Sequence, residues 1–231
     1  MSTAQRVVLV TGAYKGIGLE VVRQLAARGA RVFLTARNRA AGEAAVESLT
    51  GDVHFLPLDV DDAASIDSAV RALAKQTDHL DVLVNNAAVL LDDGGSVLDL
   101  DRKTALKTFA TNTVGPLLVT QAFRPLLTKS DAPRVINVSS SAGQLAEGLQ
   151  DWASAYSISK TALNSLTQHF AATLPHFAVN AVSPGWVRTD MGGDAAPLGV
   201  AQGADTIVWL ALDAPQSLTG RFLRERREIA W

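Results

Sequence analysis

The stretch Val7-Val8-Leu9-Val10-Thr11-Gly12-Ala13-Tyr14-Lys15-Gly16-Ile17-Gly18 joins a short apolar run to a glycine-rich turn. Four consecutive apolar residues suit a strand that is buried on both faces. Glycine permits a sharp turn and lets a phosphate approach the backbone closely at the start of a helix. The spacing differs from both G-x-G-x-x-G and G-x-x-x-x-G-K-[ST]. The stretch therefore predicts a strand–turn–helix unit that binds a dinucleotide pyrophosphate, and it disfavours a nucleotide triphosphatase.

Apolar runs of the same kind recur along the chain and alternate with stretches of helical spacing. Strands are predicted at residues 7–10, 32–34, 53–56, 82–84, 135–138 and 179–182, with a further strand near the basic residues 221–227. The longest predicted helices cover 101–127 and 155–174. Such alternation, with right-handed crossovers, gives a parallel sheet between two helical layers. We expect one α/β domain over residues 1–231, with a Rossmann-type, doubly wound sheet.

Composition limits the classes of partner. The 231 residues include 21 basic and 23 acidic side chains, a formal charge of −2, so no broad positive field favours nucleic acid or an anionic membrane. The lack of cysteine excludes disulfides, thiolate metal sites and a cysteine nucleophile, and the four histidines have no metal-site spacing. No apolar stretch has the length of a signal or membrane segment. We expect a cytoplasmic protein with a small-molecule ligand and no metal.

The residues after the second predicted strand distinguish NAD from NADP. In a dinucleotide fold an acid about 20 residues beyond the glycines holds the 2′-hydroxyl of NAD, whereas arginine accommodates the 2′-phosphate of NADP. Arg37 stands at this place, and the first acid beyond it is Glu43. Lys15 adds a second positive charge. The alternative is that both cations are solvated surface charges. The pattern predicts NADPH or NADP+.

Tyr156 and Lys160 lie one helical turn apart at the start of a predicted helix, so both project from one face. A free phenol has a pKa of about 10. A cation one helical turn away, joined by the positive nicotinamide ring when the cofactor is oxidised, favours the phenolate and is expected to lower that pKa toward the working range. Tyr156 is then able to protonate a carbonyl oxygen, or to deprotonate an alcohol.

Further polar and small residues follow three predicted strands. They are Asn85 to Ala88, Ser139 to Ser141, and Pro184-Gly185 leading to Thr189. The carboxyl ends of parallel strands meet at one edge, where open α/β sheets hold ligands. We expect these segments to converge with Tyr156 and Lys160.

The ordered set of motifs resembles the short-chain dehydrogenase/reductase family, and most closely its carbonyl reductase-like branch, over essentially the whole chain. The residues that carry the resemblance are Thr11-Gly12-x-x-x-Gly16-x-Gly18, Leu58-Asp59-Val60, Asn85-Asn86-Ala87, Asn112, Ser140, Tyr156-x-x-x-Lys160 and Pro184-Gly185-Trp186-Val187-Arg188-Thr189-Asp190-Met191. It implies an oxidoreductase that passes a hydride between nicotinamide and a carbonyl or alcohol carbon.

The resemblance also implies roles for individual residues. Ser140 would donate a hydrogen bond to the substrate oxygen. Lys160 would bind the nicotinamide ribose, and Asn112 would anchor a water that links Lys160 to solvent. The expected catalytic set is therefore Asn112, Ser140, Tyr156 and Lys160. Asp59 and Val60 would meet the adenine, Asn86 and its neighbours the adenosine ribose, and Val187 and Thr189 the carboxamide. The expected cofactor set is Gly12, Tyr14, Lys15, Gly16, Ile17, Gly18, Arg37, Asp59, Val60, Asn86, Ala87, Ala88, Tyr156, Lys160, Pro184, Gly185, Val187 and Thr189.

The sequence departs from the family pattern at two positions. Ala88 stands where the family usually has glycine, and Tyr14 replaces a smaller polar residue, either covering the adenosine or facing solvent. The short interval between Ser140 and Tyr156 lacks the insertion of some monomeric relatives. The long helices are therefore expected to pair in a homodimer or homotetramer.

The residues expected around the substrate are mostly apolar, which favours an apolar ketone, aldehyde or quinone over a sugar or carboxylate. In addition to Ser140 and Tyr156 they are Leu90, Leu145, Trp152, Trp186 and Met191. The alternative for the two tryptophans is a place in the core or an interface. Residues 192–199, with three glycines, are either a lid over the cofactor or a plain surface loop.

Two rival functions are open at this point. One is a catalytically silent NADP(H)-binding sensor or scaffold, which has no need of the Asn112, Ser140, Tyr156 and Lys160 set. The other is a methyltransferase or another nucleotide-binding α/β enzyme. That class would more naturally place an acid than Arg37 after the second strand.

Overall fold

A single eight-stranded sheet organises the chain. The computed structural model describes residues 5–94, 96–146, 148–149 and 152–231. The strand order is β3-β2-β1-β4-β5-β6-β7-β8. The strands are β1 Val7–Val10, β2 Arg31–Ala36, β3 Val53–Pro57, β4 Val82–Asn85, β5 Arg134–Val138, β6 Ala178–Val182, β7 Arg221–Arg224 and β8 Arg227–Ile229. Strands β1 to β7 pair in parallel, which confirms the predicted α/β class.

The last strand departs from the prediction. The sequence indicated one terminal strand, whereas the structure folds it into the antiparallel pair β7 and β8. Glu225 and Arg226 form the tight turn between them with φ of 51° and 60°. Left-handed angles at both turn positions match the right-handed twist of the flanking strands. This hairpin lies at the edge of the sheet, far along the strand order from the glycine-rich turn.

Helices cover both faces of the sheet. They are α1 Gly16–Ala27, α2 Arg39–Glu47, α3 Ala63–Ala74, α4 Arg102–Phe109, α5 Gly115–Leu127, α6 Ser154–Thr173 and α7 Val200–Leu212. The predicted helix over 101–127 is instead α4 and α5, joined by a π-helical turn at Ala110–Val114. In the described part of the chain, no helix has both the length and the apolar character needed to cross a bilayer.

The continuous apolar runs are explained by burial on both faces. On β1, Val8 and Val10 pack with α1 and α7 in one core layer. Val7 and Leu9 point the other way, into a second layer formed with α3 and α5. Successive side chains of a strand point to opposite faces, so a strand covered on both sides needs apolar residues throughout. The carboxyl ends of β1 to β7 therefore lie along one edge of a well-packed sheet.

A buried polar network crosses the sheet below those ends. Asn85 of β4 and Asn137 of β5 stand opposite each other, and Asn85 Nδ2 donates to Asn137 Oδ1 at 2.8 Å. Asn85 also donates to Thr120 of α5 at 3.1 Å, and Asn137 Nδ2 donates to Thr167 of α6 at 2.9 Å. Buried polar groups need such partners. The network therefore fixes α6 relative to β4 and β5.

Asn137→Leu is expected to lower the free energy of unfolding by about 1–3 kcal/mol, because Asn85 and Thr167 each lose a buried partner. Urea denaturation measures the loss. Asn85→Leu and the double variant complete a mutant cycle, and the single losses should add to more than the double loss. A change below about 0.5 kcal/mol in Asn137→Leu, within the usual range of surface substitutions, would contradict this account.

Candidate functional site

The glycine-rich turn after β1 needs glycine at two positions for its backbone angles. Gly12 and Gly16 have φ of 59° and 58°, the left-handed region that side chains disfavour. A third glycine is needed for a different reason, because Gly18 has no room for a side chain. A Cβ on Gly18 would lie 2.5 Å from Asn86 Nδ2 and 2.9 Å from Ala13 Cα. The turn thus leads the chain into α1 with its backbone close to the neighbouring strand.

Asn86 holds this turn in place from the end of β4. Its side-chain Nδ2 donates to the Thr11 carbonyl at 2.9 Å and to the Gly12 carbonyl at 3.2 Å. The Thr11 hydroxyl accepts from the backbone N–H groups of Asn86 and Ala87 at 2.9 and 3.0 Å. The sequence predicted a ligand contact for Asn86. The structure adds a bracing role that the prediction missed.

A cleft of about 610 Å³ opens above the turn, at the carboxyl ends of β1, β4, β5 and β6. All of the predicted cofactor residues except Gly185 and Val187 line it: Gly12, Tyr14, Lys15, Gly16, Ile17, Gly18, Arg37, Asp59, Val60, Asn86, Ala87, Ala88, Tyr156, Lys160, Pro184 and Thr189. Val187 is 3% exposed and bridges to Leu198, so its side chain is turned into the protein. Further lining residues, for which the sequence predicted no cofactor contact, include Ala36, Asp61, Val89, Thr111, Val138, Arg188 and Val200.

The two cations predicted to meet a phosphate have different surroundings. Lys15 Nζ lies 2.6 Å from the Asp190 carboxylate, an ion pair that joins the glycine-rich turn to the segment after β6. The hydrogen bond raises the pKa of Lys15 and lowers the pKa of Asp190. Arg37 lines the cleft with an exposed side chain. Sequence reasoning missed Asp190 as a partner, because the two residues are 175 positions apart.

Tyr14 also differs from one of its predicted alternatives. Its side chain is half-buried, lines the cleft and packs against the core beside α1. Lys15 Nζ lies 5.5 Å from the centroid of its ring. A residue so placed does not simply face solvent.

Tyr156 and Lys160 are buried together on α6. Tyr156 is 9% exposed and Lys160 is 2% exposed. Lys160 Nζ lies 5.5 Å from the centroid of the Tyr156 ring and donates to the Val138 carbonyl at 2.8 Å. Burial disfavours the charged form of each group. It lowers the pKa of Lys160 to about 7, and it raises the pKa of Tyr156 against a smaller, opposite effect of the hydrogen bond with Ser140.

The direction of the tyrosine shift in the protein alone shows that Lys160 is not sufficient to lower the phenol pKa. The sequence prediction combined the lysine with the positive ring of an oxidised nicotinamide, and without that second charge the pKa is raised. The physical reason is that burial acts on both partners. Because Lys160 gives up its proton near neutrality, it is a weak source of the charge that would stabilise a phenolate.

The three consecutive serines after β5 have distinct environments. Ser139 is buried and donates to Asn164 Oδ1 at 2.6 Å, which makes it part of the α6 packing. Ser141 is tied through its backbone N–H to the Ser183 hydroxyl at 3.1 Å. Ser140 Oγ accepts from Ala142 N at 3.1 Å and interacts with Tyr156. Ser140 is thus the serine next to the phenol.

Asn112 lies in the π-helical turn and is fully buried. Its Oδ1 accepts from Val89 N at 2.8 Å, and its Nδ2 donates to Val89 O at 2.9 Å and to Ser159 Oγ at 3.0 Å. These bonds join the segment that follows β4 to α6. The water-anchoring role that the resemblance implies stays a prediction, and the contacts described for the side chain add a structural role to it.

The apolar residues predicted around the substrate are all at least partly exposed. Met191 lines the cleft, Leu90 is half-buried, and Leu145 and Trp186 are more than half exposed. Trp152 is 40% exposed and stands edge-on to Tyr156, with ring centroids 6.4 Å apart. This exposure rules out a core position for either tryptophan.

The segment 192–199 closes one side of this region and is anchored. Trp186 Nε1 donates to the Gly192 carbonyl at 2.8 Å, and Arg188 donates to the Ala196 and Pro197 carbonyls at 2.9 and 3.1 Å. Ala196 is 1% exposed. Of the two predicted alternatives, these contacts favour a fixed loop over a lid.

Comparison with known proteins supports the same picture. The model of the short chain dehydrogenase family matches residues 6–197. The chain is 34% identical to a (+)-neomenthol dehydrogenase of Arabidopsis thaliana, covering 97% of each chain. It is also 34% identical to "Carbonyl reductase [NADPH] 1" of Sus scrofa, over 100% of this chain and 96% of the relative.

Solved structures agree at the level of the fold. An NADPH-bound carbonyl reductase from chicken fatty liver superposes with a TM-score of 0.89 at 32% identity, covering 98% of this chain and 94% of the other. The carbonyl reductase Sniffer of D. melanogaster gives a TM-score of 0.90 at 29% identity over 98% and 100%. The glycine-rich turn, the cleft and these matches together lead to one conclusion: the chain belongs to the short-chain dehydrogenase/reductase family.

Proposed function

We propose that this protein is an NADPH-dependent oxidoreductase that interconverts a carbonyl compound and an alcohol, with Tyr156 as the proton donor and acceptor. The observation that carries the proposal is the burial of Tyr156 beside Lys160 and Ser140, at the cleft that begins at the glycine-rich turn. Titratable groups that are buried beside a cleft and have shifted pKa values are typical of functional sites.

The residues of the cleft fit a bound NADPH. Gly12 and Gly16 open the backbone for a pyrophosphate, and Arg37 offers an exposed guanidinium to a 2′-phosphate. We assign Asp59 and Val60 to the adenine, Asn86 to Ala88 to the adenosine ribose, and Lys160 to the nicotinamide ribose. Thr189 is assigned to the carboxamide, without the buried Val187 side chain. When bound, NADPH supplies the hydride for the carbonyl carbon. Relatives whose names include NADPH support this choice of cofactor.

The side chains supply the proton chemistry. Tyr156 donates its phenolic proton to the carbonyl oxygen, while Ser140 donates a hydrogen bond to the same oxygen as negative charge develops. The resulting phenolate lies one helical turn from Lys160, whose protonated form would stabilise it, and it then recovers its proton from solvent. In the direction of alcohol oxidation, the same groups pass the proton the other way.

Apolar side chains near the cleft support a proposal for the class of substrate. Met191 lines the cleft, Trp152 stands edge-on to the Tyr156 ring, and Leu90, Leu145 and Trp186 offer further apolar surface that is at least partly exposed. Such walls favour an apolar ketone, aldehyde or quinone. The relatives named neomenthol dehydrogenase and carbonyl reductase are consistent with this class.

We also propose a homodimer or homotetramer. Four large apolar side chains remain at least a third exposed on α4, α5, α6 and the π-helical turn: Leu106, Val114, Leu118 and Ile158. Apolar surface of this kind is typical of interfaces between subunits. A second copy of the chain would cover it.

Tyr156→Phe is expected to lower kcat for NADPH-dependent carbonyl reduction by about 10²–10⁴-fold, because the general acid is lost while the ring remains. The affinity for NADPH, measured by quenching of tryptophan fluorescence, should stay within about twofold, well under the tenfold that 1.4 kcal/mol represents. Activity near that of the parent would refute the proposed role of Tyr156.

Arg37→Ala is expected to weaken NADPH binding by about 10- to 100-fold, the loss of one hydrogen bond to a charged group, and to leave NADH binding unchanged. Arg39→Ala is the matched control. Arg39 already pairs with Glu43 at 3.0 Å and lies over the Phe55 ring, so its removal should alter neither affinity. Equal losses for NADPH and NADH would exclude Arg37 as the group that selects the 2′-phosphate.

A further inference from the structure

Within the described residues, the position that precedes the helix carrying Tyr156 provides no side-chain cap. The residue before α6 is Ala153, whose methyl group accepts no hydrogen bond, and it has a left-handed φ of 46°. That angle is unfavourable for alanine. By contrast, α2, α3 and α4 are capped by the side chains of their own preceding residues, Asn38, Asp62 and Asp101. The first amide groups of a helix lack partners within it. Those of α6 must therefore be satisfied from elsewhere.

Asp92 supplies the missing acceptor from the loop between β4 and α4. Its Oδ2 accepts from the backbone N–H of Ala155 at 2.6 Å, although the two residues are 63 positions apart. Ala155 is the second residue of α6 and directly precedes Tyr156. A carboxylate at this end of a helix also interacts favourably with the helix dipole. The bond thus fixes the turn from which the phenol projects.

The neighbouring Asp93 holds a second part of the same region. Its Oδ1 accepts from Trp152 Nε1 at 2.9 Å. Trp152 in turn stands edge-on to the Tyr156 ring. Two consecutive carboxylates therefore bind the loop between β4 and α4 to the start of α6 and to the Trp152 ring beside the phenol.

We propose that Asp92 is a positioning residue for Tyr156, and that it acts by capping α6 through Ala155 N. The proposal rests on the proposed function, because it assumes that Tyr156 transfers the proton. Asp92 touches the helix backbone and aligns the phenol with the reacting oxygen. Asp93 aligns Trp152 and so affects how the substrate is held.

Asp92→Ala tests the proposal. We expect kcat for carbonyl reduction at saturating NADPH to fall by about tenfold or more, because a small misplacement of a catalytic group is costly. Asp92→Asn should recover most of this loss, since the asparagine oxygen also caps helices well. NADPH affinity should be unchanged in both variants. Hydrogen exchange of the Ala155 amide should accelerate in Asp92→Ala only.

Asp62→Ala is the matched control. Asp62 Oδ1 accepts from Ala64 N at 2.9 Å, the same kind of bond at the second residue of α3. Its loss should reduce stability without changing kcat. If Asp92→Ala does not fold, Asp92→Asn and Asp92→Glu are compared instead. The proposal then requires the asparagine variant to be the more active, because glutamate moves the acceptor oxygen by one methylene.

Two results would overturn the proposal: a parental kcat in Asp92→Ala, or an equal loss in the alanine and asparagine variants. Either result with an inactive Tyr156→Phe would refute only the positioning role. An active Tyr156→Phe would refute the proposed function itself. Asp93→Ala should raise KM for the carbonyl substrate several-fold with little change in kcat. A loss confined to kcat would contradict the assignment to Trp152.

Discussion

Burial of a lysine next to a tyrosine is the physical constraint on which the rest of this structure depends. Lys160 has one hydrogen bond described for its ammonium, to the Val138 carbonyl, and lies almost wholly out of water. Removal of a charge from water is costly unless partners compensate it, so the group shifts its pKa instead. Lys160 therefore titrates near neutrality while Tyr156 stays protonated. A protonated phenol is able to donate its proton to the oxygen of a bound carbonyl compound, and a lysine that titrates near neutrality is able to exchange a proton at working pH.

The surrounding polar contacts hold this pair in place. The Asn85–Asn137–Thr167 network joins α6 to β4 and β5. The Asn112 side chain binds both Val89 and Ser159 of α6. The Asp92 carboxylate meets the start of the helix. Each contact joins α6 to a segment at the carboxyl end of a parallel strand. The position of the phenol is thus set by the same sheet edge that forms the cleft.

Periodicity and motif order made most of the fold predictable. Strand β1 matched its predicted bounds, and five more strands appeared within a few residues of theirs, since strands buried on both faces require continuous apolar runs. The π-helical turn at Ala110–Val114 was not predictable, because its residues have no distinct pattern. Nor were the Lys15–Asp190 and Asp92–Ala155 contacts, which join distant positions. The burial that raises the phenol pKa in the protein alone was not predictable either, because residue spacing does not show burial.

The central claim is that burial governs the proton on Tyr156. The chain has two tyrosines, so a Tyr14→Phe variant leaves a single phenol to titrate by its ultraviolet absorbance. The account predicts ionisation above the ordinary pKa of about 10 in the protein alone, and at lower pH once NADP+ adds a positive charge nearby. Ionisation at or below that pKa in the protein alone, unchanged by NADP+, would contradict it.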